Sequence, residues 1–129
     1  MKKLVFGIFV TLFAFNVEAA KIKLDMQLYL DGKFVQSTNR VVNSGETVVV
    51  EQRENENVTS VLEVQAEPNE FHPKEVFQVD VKIKKNIFGK EHFIGNPRVI
   101  ARSGDAAVIE VKNEQNQGFR LRVIATPAD

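Results

Sequence analysis

Two histidines, a set of lysines among phenylalanines, and a few serines are the side chains here that could carry chemistry. His72 lies between Glu70 and Glu75, and His92 follows Glu91. An imidazole beside a carboxylate can begin a metal shell, but a zinc site needs three or four converging ligands. Nothing in the spacing of the two histidines brings them together, so exposed imidazoles are expected, with no metal and no other cofactor. Ser37, Ser44, Ser60 and Ser103 show no neighbouring base of the kind a nucleophile needs, and no Gly-x-Ser-x-Gly elbow occurs. The chain has no Cys, which excludes thiolate chemistry and disulfide staples. A carboxylate pair for glycoside hydrolysis is a matter of spatial arrangement, and solvated sheet faces account for the acids more simply. The expected protein is not an enzyme.

Lys82, Lys84, Lys85 and Lys90 form a basic cluster with Phe88 and Phe93 among them. Such interleaving suits single-stranded nucleic acid, yet 17 basic residues balance 17 acidic ones, so no nucleic-acid partner is expected. Outward lysines on a strand, where they discourage edge pairing, explain the cluster. More informative are two connections that hold large apolar groups, 70–74 and 86–94. An aromatic in a polar loop can anchor a partner. The candidate partner-binding residues are therefore Phe71, His72, Phe88, Lys90, His92 and Phe93. The commoner outcome for such aromatics is that they fold back and cap the open end of the sandwich, and that is the expectation set beside the binding one.

The elements that must position them are strands. Ile22, Leu24, Met26, Leu28 and Leu30 alternate with polar residues, as do Phe77, Val79, Val81 and Ile83, and then Phe119, Leu121 and Val123. Period-two alternation sends one set of side chains to one face of a sheet. β-Branched stretches fill 47–50, 58–64, 98–100 and 106–111, and no window reads as a helix. Asp31-Gly32 between apolar runs predicts a tight hairpin, because a type I′ turn needs two residues at positive φ. About eight short strands with regular turn signals predict an all-β fold, a small antiparallel β-sandwich of immunoglobulin-like or similar form.

Ahead of the strands, Met1-Lys2-Lys3, an apolar run from Leu4 to Phe15 and Val17-Glu18-Ala19 have the layout of a secretory signal peptide. Cleavage after Ala19 is expected, with Ala20 the alternative, leaving one domain over residues 20–129 and no stable membrane span. The apolar core is too short for a spanning helix, which needs about 20 such residues. The expected destination is the bacterial periplasm or the medium.

One stretch, 40–51, is echoed by 98–110: strand, Ser-Gly-acid turn, strand, Glu. Both are expected to be hairpins, whether the echo records a duplicated unit or only the commonness of Ser-Gly-acid turns in β proteins. Within the second copy, Gly95-Asn96-Pro97-Arg98-Val99-Ile100 followed by Ser103-Gly104-Asp105-Ala106-Ala107-Val108-Ile109 resembles a stretch of the secretin pore domain. The likeness covers residues 95–109, or 77–127 with the flanking strands. The chain is far too short for a secretin pore, so the resemblance implies a detached β-module of the cell envelope. The expected function is a non-catalytic interaction module that docks on an envelope or secretion-system protein by a strand edge or by the Phe loops. A secreted binder or inhibitor of an enzyme, with 84–94 as its wedge, is the alternative, and a glycan-directed hydrolase a minor one.

Overall fold

The computed structural model describes residues 20–112 and 118–128, and the export segment expected at 1–19 lies outside them. Nine strands follow in order: β1 (Lys21–Leu30), β2 (Lys33–Asn43), β3 (Thr47–Asn55), β4 (Val58–Pro68), β5 (Val76–Ile87), β6 (Lys90–Gly95), β7 (Arg98–Arg102), β8 (Ala106–Lys112) and β9 (Gly118–Pro127). They form two antiparallel sheets. Sheet A has the order β2-β1-β9-β8, and sheet B the order β3-β4-β5-β6, with β7 continuing the β6 edge along β5. The expected sandwich is present, with one strand more than the apolar pattern indicated. The extra strand is β6, which reads as part of a connection because its Lys90-Glu91-His92-Phe93 run has no alternation.

The alternation places the core. Ile22, Leu24, Met26 and Leu28 of β1, with Leu121, Val123 and Ala125 of β9, face Leu62, Val64 and Ala66 of β4 and Phe77, Val79, Val81 and Ile83 of β5; all are buried. These four central strands supply most of the apolar area removed from water, which is the main stabilising term.

The internal echo is real, but its hairpins are not. β2 belongs to sheet A and β3 to sheet B, whereas β7 belongs to sheet B and β8 to sheet A. Each Ser-Gly-acid turn is therefore a crossing between sheets, because the strand it ends and the strand it starts each bury an apolar face that only a two-layer arrangement satisfies. The secretin-like stretch is likewise no hairpin. Both crossings are pinned alike: Gly45 N–H donates to Ala66 O and Gly104 N–H to Ala125 O, each at 3.0 Å. Glu46 N–H donates to Asn43 O as Asp105 N–H does to Arg102 O.

The correspondence extends through the fold. Residues 20–68 run a hairpin in sheet A, cross, and run a hairpin in sheet B; residues 75–127 run the same path with the sheets exchanged. The registers match as well. Ile22 pairs Val42 as Phe77 pairs Ala101, and Val64 pairs Val48 as Val123 pairs Ala107. Even the edge irregularities agree. A bulge leaves Val35 unpaired opposite Leu28/Tyr29, and another leaves Ile94 unpaired opposite Ile83/Lys84, with Phe34 and Phe93 beside them.

This path gives the sandwich two unlike ends. One end carries both crossings and the 69–75 connection. The other carries the Asp31-Gly32, Glu56-Asn57 and Phe88-Gly89 turns and the start of β9. At about 3.3 Å per residue, β5 separates the two ends by roughly 35 Å.

Candidate functional site

The six candidate residues fall into two groups. Phe71 and His72 lie at the crossing end, where Asn69 Oδ1 accepts both their N–H groups at 2.8 and 2.9 Å and shapes the loop. Phe88, Lys90, His92 and Phe93 lie at the hairpin end, on the turn joining β5 to β6 and on β6 itself. The two histidines are therefore at opposite ends, and among the described residues no His, Cys, Asp and Glu cluster could hold a metal ion. None of the aromatics is a core cap. Phe71 is 80% exposed, Phe88 75% and Phe93 61%. The capping expectation fails because the inward residues of β4, β5 and β9 are buried by one another, while these three rings stand largely in solvent.

Phe88 is unusual in its backbone too. It sits at φ 50° with Gly89 at φ 79°, the pair of positive values that a type I′ hairpin requires. The β1–β2 turn meets the same demand with Asp31 (φ 52°) and Gly32 (φ 84°), as its sequence predicts. There Asp31 also fastens the strand ends, its Oδ1 accepting from Gly118 N–H at 2.9 Å. A bulky side chain in left-handed conformation is a true outlier. Such strain collects where function demands a particular side chain. Phe88 is held in place by its N–H, which donates to Asn57 O of the neighbouring turn at 2.8 Å.

Behind this tip lies a cluster that the sequence does not announce. Ser60 is fully buried, the one such polar side chain among the described residues. Its hydroxyl donates to Glu54 Oε2 at 2.5 Å. The same oxygen accepts an ion pair from Lys85 Nζ at 3.4 Å, and that ammonium stands 5.5 Å from the centre of the Phe119 ring. Glu54 occupies a bulge, unpaired between Arg53↔Thr59 and Asn55↔Val58. Lys85 is thus not one of the outward lysines expected of the cluster. It follows Ile83 on the inner face, where a long stem can pack on apolar surface with its charge carried to the edge. The strict alternation of β5 was the available signal, and it breaks at Lys84-Lys85. Lys84 does point outward, bound to Glu63 at 2.9 Å and Glu91 at 3.6 Å. That hydrogen bond holds the Glu63 carboxyl below its ordinary pKa and the Lys84 ammonium above its own.

The two flanks of the sandwich differ beside this cluster. On the β2/β3 flank the Gln36 amide spans the sheets, donating to Glu51 O at 2.7 Å and to Gln52 Oε1 at 2.9 Å. By register, Gly95 occupies the position of Gln36, and Val111 that of Gln52. Neither can bridge. β7 lies against β8 toward the crossing end, and β6 approaches β8 less closely. Among the described residues this flank holds a groove of about 280 Å³ lined by Phe93, Ile94, Val111 and Phe119 together with Lys85 and Lys112.

No protein-family model matches the chain, and neither a characterised protein nor a solved structure shows significant similarity to it.

Proposed function

We propose that this chain is an exported, non-catalytic docking module of the bacterial cell envelope, acting in the periplasm or at the cell surface. Its partner is a protein of an envelope or secretion assembly, engaged through the β5–β6 hairpin. One observation carries the reading: Phe88 is exposed on a strained turn where Asp or Asn would serve the fold better, and Phe93 is exposed on the strand that follows. Aromatic residues, Phe among them, are enriched at the centres of protein interfaces. The edge of β6, which among the described residues pairs with β5 alone, supports it further, because such an edge offers backbone donors and acceptors to a partner. Phe71 and His72, at the far end, belong to a separate surface.

Photo-crosslinking in intact cells tests this. A crosslinking amino acid placed at Phe88 or Phe93 is expected to capture one envelope protein, and one placed at Phe34, the equivalent of Phe93, to capture none. Capture of a soluble secreted enzyme from the same positions would instead establish the inhibitor reading. Absence of any adduct from either position would overturn docking through this hairpin.

A further inference from the structure

The sheet edges are not equally protected. β2 carries a bulge at Val35 and sets Arg40 opposite buried Leu24, on the inward side. β3 carries a bulge at Glu54, and its Glu51 carbonyl accepts the Gln36 amide. The β6/β7 edge is bulged at Ile94 and broken at Asn96-Pro97. Bulges, inward charges and prolines are the devices that keep an edge from pairing. β8 has none of them. It keeps seven consecutive partners on β9 without a register shift, and its inward residues are Ala107, Ile109 and Val111. We infer that β8 pairs antiparallel with β8 of a second copy of this chain, making a two-fold dimer in which the two four-stranded sheets A run on as one. This goes beyond the docking reading and does not depend on it.

The backbone of β8 is set for such a partner. Ala128 N–H donates to Lys21 O at 2.9 Å, and Asp31 N–H donates to Gly118 O at 3.0 Å. Bonded pairs alternate along an antiparallel ladder, so Arg120, Arg122, Ile124 and Thr126 of β9 bond to β1. The residues between them face β8, as the bond from Gly104 N–H to Ala125 O agrees. Ala107, Ile109 and Val111 therefore bond to β9, and Ala106, Val108, Glu110 and Lys112 turn their N–H and C=O groups outward. Among the described residues those outward groups have no backbone partner.

A second β8 satisfies this edge. A two-fold axis at Ile109 pairs the whole strand and keeps each residue opposite one of its own face. On the inward face Ile109 then meets its own counterpart, and Ala107 meets Val111 of the copy, small against larger at both ends. On the outward face Val108 meets Glu110 and Ala106 meets Lys112, so like charges, which destabilise when directly opposite, never coincide. These last pairs are also the ones whose N–H and C=O groups are turned outward, and Val108, 46% exposed, gains a neighbour. Closed two-fold dimers are the commonest soluble assemblies. Because the two strands run in opposite directions, the hairpin ends of the copies point away from each other. A dimer thus offers its two β5–β6 hairpins to separate partners.

Analytical ultracentrifugation of the purified protein tests this, and a dimer that dissociates on dilution is expected. Val108→Pro removes an outward N–H and none that bonds to β9, a position where an edge strand tolerates proline. It should keep the circular dichroism of the wild type and weaken the dimer at least tenfold. Asn39→Pro removes an outward N–H from β2, the opposite edge of sheet A, and should leave the dimer unchanged. The chain has no Cys, so Ile109→Cys introduces a single thiol. In the dimer it faces its counterpart across a non-bonded pair, at a Cα separation of about 4.5 Å that a disulfide can span. Mild oxidation should join two chains there, whereas Val50→Cys, the equivalent position on β3, should join none. A monomer at every concentration, or a folded Val108→Pro that dimerises as the wild type does, overturns the inference. So does the absence of a disulfide from Ile109→Cys, or an equal yield from Val50→Cys, and this cysteine pair decides alone if Val108→Pro fails to fold.

Discussion

Residues 20–68 and 75–127 run the same path, and set side by side they separate what the fold requires from what it tolerates. Shared between them are the inward apolar residues of the central strands, the Ser-Gly-acid crossings with their paired hydrogen bonds, and the bulges at Val35 and Ile94. Their differences concentrate at the hairpin end. Lys85 replaces the apolar Leu30, buried Ser60 stands where the other half has Phe119, Phe88-Gly89 replaces Asp31-Gly32, and Gly95 replaces the bridging Gln36. Every one of these exchanges gives up something the fold would use: an apolar contact, a favourable turn residue, an inter-sheet hydrogen bond. Changes that sacrifice stability, gathered at one end of the molecule, are the pattern expected when a surface is maintained for another purpose.

The largest effects should come from the shared core. Leu28 and Ile83 occupy equivalent positions, each about 1% exposed. Truncation of either to Ala removes buried methylenes and leaves a cavity, at a cost of about 3 kcal/mol. Chemical denaturation should give the two variants costs within about 1 kcal/mol of each other, in a single transition. A large asymmetry, or a second transition, would break the comparison by showing that one half is dispensable to the other.

How much of this is legible in the sequence follows from the physics of each feature. Alternation is a local signal, so Ile22–Leu30 and Phe77–Ile83 declare their strands and their inward faces. Asp31-Gly32 declares its turn because few residues tolerate two positive φ angles. The Ser-Gly-acid turns declare a reversal but not its layer, since whether the chain returns in the same sheet or the facing one is decided by burial of both flanking strands. β6 is hidden because an edge strand buries little and needs no pattern. The Glu54–Ser60–Lys85 cluster is hidden more thoroughly. It depends on a bulge in β3 and on two strands meeting at their far ends, and its only trace is the broken alternation at Lys84-Lys85. Phe88 and Phe93 stand out as aromatics among polar residues, but only the backbone at φ 50° distinguishes the first from a residue whose identity is indifferent.

Restoring the turn residue gives the intermediate effect. An L-residue in left-handed conformation costs about 1–2 kcal/mol, a cost Asn largely escapes through local hydrogen bonding. Phe88→Asn should therefore raise stability by about 1 kcal/mol in urea titration while abolishing capture of the partner at Phe93. A stabilised variant that still captures the partner would assign Phe88 to neither the fold nor the interface. A destabilised one would mean that the ring packs on the neighbouring turn and that the two hairpins differ less than their φ angles suggest.

The smallest effect concerns the outer faces, where the two copies of the bulged Phe meet different neighbours. Phe34 packs edge-on to Tyr29, ring centres 5.6 Å apart, with Arg120 5.4 Å from the tyrosine ring. Phe93 instead lies opposite Lys84, whose ammonium binds Glu63 and Glu91, so a paired cation stands where the other half has Tyr29. Glu63 is held below its ordinary pKa by the hydrogen bond from Lys84, so the pair's stabilisation is complete above the ordinary glutamate value of about 4.3 and is lost as the pH falls through the lower folded value. Lys84 is raised by the same bond, so its contribution is complete below the ordinary lysine value of about 10.4 and is lost as the pH rises through the higher folded one. Wild type should therefore melt slightly above Glu63→Gln between about pH 5 and 10, by less than the Phe88 exchange produces. The two curves should converge on acidification below the ordinary glutamate value, and added salt should narrow the gap, since exposed pairs are screened. A gap that persists at pH 2.5 would assign the effect of Glu63 to packing and not to its charge.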